Sequence, residues 1–412
     1  MKYDFDQIID RRGTCCVKYD KLDELYGRDD LLPMWVADMD FATPPFVVDA
    51  VIRRCQHPIF GYTCRGPQWS NAIIRWQQMR YGWSVKEEWL NFVPGIVPGI
   101  GFCVNCFTQP GDRVLIQTPV YHPYIHVPRN NGREVLMSDL MLPSADDTRP
   151  SVPASAIQID WERFEHDVQR CKLFLLCHPH NPGGRVWTRD ELDRMATICA
   201  RHRVLVISDE IHADLTLPGH HHIPFASVSE AAAQNSITLA SPSKAFNMPG
   251  LTSSYSIIPN PTLRAQFHAY LDSCELNLGH LFVGDTIAAA YGNGTAWLEQ
   301  CLAYINGNID YVEQTLRERM PDIGMIRPDA SYLIYLDCRR LGLTQQAVNA
   351  LFAERAHLAL NDGSSFGAVG TGFMRFNIAS PRAVVAEALD RLSAALTPHH
   401  LYPSLLTSNT LS

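Results

Sequence analysis

No long hydrophobic run occurs in this sequence. Apolar stretches such as 204–207 and Leu173–Cys177 are four and five residues long, far below the roughly 18 that a membrane-spanning helix needs. A membrane partner is therefore not expected. The first residues, Met1-Lys2-Tyr3-Asp4-Phe5-Asp6, lack the apolar core of a secretory signal, so a cytoplasmic location is the expectation. Positive charge is not in excess either: 35 Lys and Arg stand against 43 Asp and Glu, a net charge of −8. Such a chain has no surplus with which to neutralise a phosphate backbone, which excludes nucleic acid as its partner.

Metal-binding spacing is missing as well. Cys103 and Cys106 form a CxxC, but no second pair completes a zinc site. They lie in an apolar stretch at 100–107 and are expected in the core. His220-His221-His222 follows Pro218-Gly219 and reads as a solvated loop rather than a metal site. No metal is expected. Twelve cysteines are scattered through 412 residues, a pattern of reduced thiols rather than of a disulfide scaffold.

What is present is the alternation of an α/β protein, in a chain long enough for two domains. Residues 1–45 are rich in charge and turn formers and read as an extended arm rather than a helix. From 46 to 290, short apolar strands (Leu90–Val93, 113–117, Leu173–Cys177, 204–208 and Ser236–Ala240) alternate with helical segments. One of these, 188–202, begins Thr-Arg-Asp-Glu as a capping box would. Continuous apolar strands between helices predict a mainly parallel sheet covered on both faces. From 291 to 412 the pattern shifts to a long helix (297–320) and strands near 332–337 and Phe373–Asn377. This reads as a smaller α+β domain with a polar, frayed end at 403–412.

The chemistry lies just past the strand ends, where open α/β sheets bind ligands. Leu173–Cys177 is followed by His178-Pro179-His180-Asn181. Strand 204–208 is followed by Asp209-Glu210-Ile211-His212, and Ser236–Ala240 by Ser241-Pro242-Ser243-Lys244. Taken singly, each is an ordinary turn, cap or surface residue. Together, in this order, they match the needs of pyridoxal 5′-phosphate (PLP). A lysine amine forms an imine with its aldehyde, and a carboxylate keeps its pyridine nitrogen protonated so that the ring draws electrons. Asn181 suits the phenolic oxygen. Gly95-Ile96-Val97-Pro98 offers backbone N–H groups at a helix start for the phosphate, with Pro98 suited to the first helical position. Ser241 and Ser243 offer hydroxyls to the same phosphate, and Tyr121 an aromatic face over the ring.

On these residues the chain resembles the fold-type I PLP enzymes of the class I/II aminotransferase superfamily. Within that superfamily it is similar to the carbon–sulfur lyases of the MalY/PatB type (cystathionine β-lyases). The likeness is carried by the run Pro33 to Phe41, by Phe60-Gly61-Tyr62, and by Val93-Pro94-Gly95-Ile96-Val97-Pro98-Gly99. It continues through Asn181-Pro182, Gly184-Arg185-Val186-Trp187, Ser208-Asp209-Glu210-Ile211-His212, Ser241-Pro242-Ser243-Lys244-Ala245-Phe246-Asn247 and Met374-Arg375-Phe376-Asn377. The resemblance implies that Lys244 holds the cofactor covalently, Asp209 faces the ring nitrogen, Asn181 contacts the phenolic oxygen and Tyr121 stacks on the ring. It implies further that Arg375 binds the substrate carboxylate, with Ala37 and Asn181 also at the substrate. Ile96, Val97, Ser241 and Ser243 would surround the phosphate. Tyr62 would reach the phosphate of a neighbouring subunit, which makes a homodimer with shared sites part of the expectation.

Two departures from the aspartate aminotransferase pattern favour the lyase branch. His212 stands where those enzymes place a tyrosine, and Thr252 where they place an arginine. His212 reads equally as a cofactor-tuning residue or a packing substitute, and His178 and His180 as substrate contacts or structural residues. Gly183 departs from the branch itself, which often has Thr or Val there. The expected activity is β-elimination on cystathionine or related cysteine S-conjugates, giving pyruvate, ammonia and a thiol. The alternatives are an aminotransferase and a PLP-binding regulatory protein with an interaction role.

Overall fold

A computed structural model describes residues 1–148 and 150–396; the polar segment at 403–412 lies outside them. Seven strands form the principal sheet: β1 (Leu90–Val93), β2 (Arg113–Thr118), β3 (Glu134–Asp139), β4 (Leu173–Cys177), β5 (Leu205–Asp209), β6 (Ser236–Ala240) and β7 (Ser254–Ile257). Their order is β1-β7-β6-β5-β4-β2-β3. Every pairing is parallel except the two made by β7. The expected parallel α/β sheet is present.

Its apolar strands are continuous because both faces are covered. Leu115, Phe174, Leu176 and Val206 enter one buried cluster, while Val114, Ile116, Leu173, Leu175 and Ile207 enter the cluster on the opposite face. Alternate residues of one strand thus serve two cores. Helix Arg189–Arg201 covers one face and starts on a complete capping box, with the Thr188 side chain accepting from the Glu191 N–H. The helix after β1 begins at Ile96, two residues before the expected Pro98. The proline still sits in the first turn, where its missing N–H costs no hydrogen bond.

A second sheet has the strand order Asn361–Asp362, Phe373–Asn377, Leu333–Asp337, Gly324–Arg327, Ser151–Pro153. It is antiparallel apart from its last pair. Its edge strand at 151–153 comes from the middle of the long α/β stretch. Helix Thr295–Arg319 supports it, within two residues of the expected bounds. The arm differs from expectation in one respect: it contains two short helices, Val17–Asp20 and Leu22–Tyr26. Beyond them, Leu32 and Pro33 pair in parallel with Leu358 and Ala359, and the run to Phe41 is not helical.

Ions fasten the arm. Lys18 is fully buried, with its ammonium 2.7 Å from Asp40, and Arg11 bridges Asp38 at 2.6 Å and Asp40 at 2.8 Å. Ser380 donates to the same Asp40 carboxylate at 2.6 Å, which joins the arm to the segment after Phe373–Asn377.

Candidate active site

Sheet register places the site. Asp209 ends β5 level with Cys177, the last residue of β4, and with Leu239, next to last in β6. The loops leaving these three strands therefore start at one edge. They carry Asn181, His212 and Lys244 into a single cavity of ≈ 280 Å³, whose wall also includes Gly95, Ile96 and Val97. Ala37, Tyr121 and Ser243 line it too. Nine of the twelve residues singled out from the sequence thus meet in one place.

Each reactive group is tuned by burial. Asp209 accepts from the Tyr124 hydroxyl at 2.8 Å and from the Ile211 N–H at 3.0 Å. Burial still outweighs both donors and pushes its carboxyl up to about 6. The Lys244 amine donates to the Ala37 carbonyl at 2.5 Å. Burial pulls it down to about 8, against the attraction of Asp38 and Asp209. An amine so placed is partly neutral near pH 7 to 8, as a nucleophile or base must be.

Two asparagines hold the arm against this lysine. Asn247, three residues after Lys244, donates to the Met39 and Phe41 carbonyls and accepts from the Met39 N–H. Asn377, two residues after Arg375, donates to the Val36 and Asp38 carbonyls. The Ala37 carbonyl between them also accepts from the Tyr332 hydroxyl at 3.0 Å. Its position is therefore fixed from both sheets.

Arg375 lies behind the cavity wall and is 3% exposed. Its guanidinium donates to the Asn181 side-chain oxygen (3.2 Å), the Trp35 carbonyl (3.0 Å) and the Asn361 side-chain oxygen (2.6 Å). All three partners are neutral, and its Nε has none. A structural ion pair would have supplied a carboxylate; here burial instead pulls the group down to about 10. A buried cation with neutral partners and an unused donor is arranged to receive an anion. Because Arg375 engages Oδ1 of Asn181, the amide N–H groups of Asn181 remain for a ligand oxygen.

Three residues are placed elsewhere. Ser241 stands outside the cavity wall: its hydroxyl donates to the Ser253 carbonyl and accepts from the Ser243 N–H, which shapes the lysine loop. Tyr62 is fully exposed, at 103%, and does not approach the site of its own chain. Arg375 reaches the site through Asn181. His212 lines the cavity with no partner for Nδ1, and burial pulls it down to about 3, so it is neutral.

The other histidines take structural places. His180 hydrogen-bonds the Pro119 carbonyl at 2.8 Å. His178 hydrogen-bonds the Ile223 carbonyl, and its ring centre lies 4.4 Å from that of His222, tilted by 34°. His222, expected in a solvated loop, is buried, with Nε2 2.8 Å from Glu210. Its burial was not legible because it depends on Glu210, twelve residues earlier, and on the His178 ring. Cys103 is fully buried on the helix after β1, as expected, and Cys106 is half-buried. Among the described residues no group of three His, Cys, Asp or Glu is arranged to hold a metal, and no helix is long and apolar enough to cross a membrane.

Tyr124, Tyr332, Asn361 and the wall residues Ser253 and Ser254 also belong to the site and are not marked in the sequence. A tyrosine three positions past Tyr121 at a helix start was a faint signal for the first. The others are defined only by tertiary contact.

A chain with this sheet, this strand-end trio and this helix start is a class I/II aminotransferase by fold. The sequence profile of the family aminotransferase class I and II matches residues 29–392, and the chain belongs to that family. It is similar to cystathionine β-lyase PatB of Bacillus subtilis (strain 168), with 41% identity covering 95% of this chain and 100% of that one. Among solved structures it is similar to cystalysin of Treponema denticola, which contains a PLP cofactor: TM-score 0.90, 31% identity, 96% of this chain and 99% of the other. The PLP-bound C–S lyase of Staphylococcus hominis superposes with TM-score 0.87 at 31% identity, over 96% and 99% of the two chains.

Proposed function

We propose that this chain is a PLP-dependent carbon–sulfur lyase that performs β-elimination on cystathionine or a related cysteine S-conjugate. The observation that carries the reading is the meeting of Lys244 and Asp209 in one cavity at the ends of neighbouring strands. The residues present fit the cofactor. The start of the helix at Ile96 presents N–H groups for a phosphate, Asp209 offers a buried carboxylate, and Lys244 offers an amine depressed enough to react. PLP, when bound, supplies an electron-withdrawing ring that makes the proton on the amine-bearing carbon removable.

This chain's residues do the remaining work. Lys244 would hold the cofactor, and its amine is the base that would take the proton from the substrate α-carbon. Asp209 would face the ring nitrogen and balance its positive charge. Arg375 would bind the substrate carboxylate, and its hydrogen bond to Asn181 Oδ1 leaves the Asn181 amide N–H groups as the donors that would serve the phenolic oxygen. Tyr121 would cover one ring face, and its own N–H is tied to the Asn181 carbonyl at 3.1 Å. A thiolate is a good leaving group, because its conjugate acid ionises near pH 8.5, so no strong general acid is required.

The same reading includes a homodimer. Ile59, Phe60 and Tyr62 form an exposed apolar run at 68%, 64% and 103%, which suits a tyrosine that crosses to the partner's phosphate site. The division into arm 1–45, large unit 46–290 and small unit 291–412 belongs to the proposal as well. So does the cytoplasmic location, which the free state of the cysteines suits.

The test is to mix the PLP-loaded protein with cystathionine in the absence of any keto acid. Pyruvate and free thiol should accumulate together, far faster than amino exchange with 2-oxoglutarate. Faster amino exchange, with the cofactor left in its amine form, would make this chain an aminotransferase.

A further inference from the structure

The carboxylate of Asp209 has a partner that its own loop does not supply. Tyr124 lies in the helix Pro123–Asn130, which follows β2 and stands 85 residues before Asp209 in the chain. It is 1% exposed, among Val120, Ile125 and Ile207. Its hydroxyl donates to Asp209 Oδ2 at 2.8 Å, while Oδ1 takes the Ile211 N–H. We propose that Tyr124 is a positioning residue: it fixes the Asp209 carboxylate and keeps it ionised, so that the carboxylate meets a protonated pyridine nitrogen. The inference rests on the PLP reading above.

A phenol that gives its proton to a carboxylate oxygen stabilises the carboxylate, not the acid. Tyr124 cannot exchange roles with Asp209, because burial and the adjacent carboxylate push its own ionisation far above the ordinary range. The other groups facing Asp209 work in both directions. Burial and the neighbouring Glu210 raise its carboxyl, while Lys244 lowers it, and the Cys177 thiol of β4 is kept neutral by burial. With the Tyr124 donor in place Asp209 still stands at about 6. Without it the carboxyl rises further and is partly protonated near neutral pH. A protonated Asp209 cannot balance a cationic ring, so affinity for the ring falls as pH drops through the raised value.

The experiment uses cofactor-free protein and two probes: PLP itself, and pyridoxine 5′-phosphate, which has no aldehyde and so reports the ring contact without the Lys244 bond. Tyr124→Phe keeps the shape of the buried ring and removes only the donor. It is expected to weaken pyridoxine 5′-phosphate about 10-fold near pH 7, the size of a lost hydrogen bond to a charged group, and more as pH falls. The ultraviolet band of the bound probe should shift toward the uncharged ring. In an Asp209→Asn background the same substitution should change affinity by less than about 2-fold, because the group it serves is gone. Unchanged affinity and band in Tyr124→Phe would overturn the proposal. So would an equal loss in both backgrounds, which would make Tyr124 a packing residue. If the parent protein took up no PLP at all, the reading beneath the proposal would fall, and that outcome is distinct from either of these.

Discussion

Asp209 is pulled two ways, and the balance decides what the site can do. Burial favours its acid form; Tyr124 and the Ile211 N–H favour the carboxylate, and the acid form holds up to about pH 6. A carboxyl raised in the folded state binds its proton more tightly folded than unfolded. Its contribution to the stability of cofactor-free protein is therefore present at low pH and is lost as pH rises from about 4 through about 6. Asp209→Asn has no such proton to lose, so its melting temperature relative to the parent should rise between pH 4.5 and pH 7. A constant difference across that interval, measured by thermal unfolding of both proteins, would contradict the assignment. The same variant in PLP-loaded form should lose on the order of 10²-fold or more in turnover, as when a principal electrostatic stabiliser is removed. Lys244, Asp209 and Asn181 were legible in the sequence because strand-end positions are local: an apolar run followed by a polar residue can be read without knowing the fold. Tyr124 and Tyr332 were not, because a buried hydroxyl gains its meaning from a partner 85 or 295 residues away.

The loop after β4 shows how elements are fitted to one another. It carries Asn181, and within it Gly183 leaves no space for a side chain: a β-carbon there would lie 2.2 Å from Ile157 Cδ1 and 3.0 Å from His180 Nδ1. Its φ is not in the left-handed region, so the restriction is one of room and not of backbone conformation. The departure at this position thus matches Ile157, which is fully buried beneath it. Gly183→Ala should cost about 1–3 kcal/mol, the usual penalty of overpacking, and should loosen the Asn181 contact. Combined with Ile157→Ala, which opens the space, the pair should be less destabilised than the sum of the two single variants. Denaturant unfolding of the four proteins measures that coupling, and strict additivity would show that the two side chains do not compete. The central strands were legible from their unbroken apolar runs. The half-buried edge strand β3 and the polar Ser254–Ile257 of β7 were not, because nothing local distinguishes an edge strand, or a reversed one, from a loop.

At the scale of the whole molecule the site is a seam. Lys244 and Asp209 come from the seven-stranded sheet and Arg375 from the five-stranded one, and the arm is tied to both by Asn247 and Asn377. One expected contributor is absent from this seam, since Tyr62 points away among exposed apolar neighbours. If Tyr62 serves the site of a second copy, each dimer has two sites that both chains build. A dimer of Tyr62→Ala chains and a dimer of Lys244→Ala chains are then each impaired at both sites. After subunit exchange, a heterodimer holds one site with neither defect and one with both. An equal mixture should recover about a quarter of the parental activity, because half of the dimers are mixed and half of their sites are whole. The exchange is verified by mass, with one chain carrying a tag, and pyruvate release from cystathionine is the readout. Activity that stays at the sum of the two parents after complete exchange would mean that each chain builds its site alone. The exposed run at 59–62 would then need a different partner.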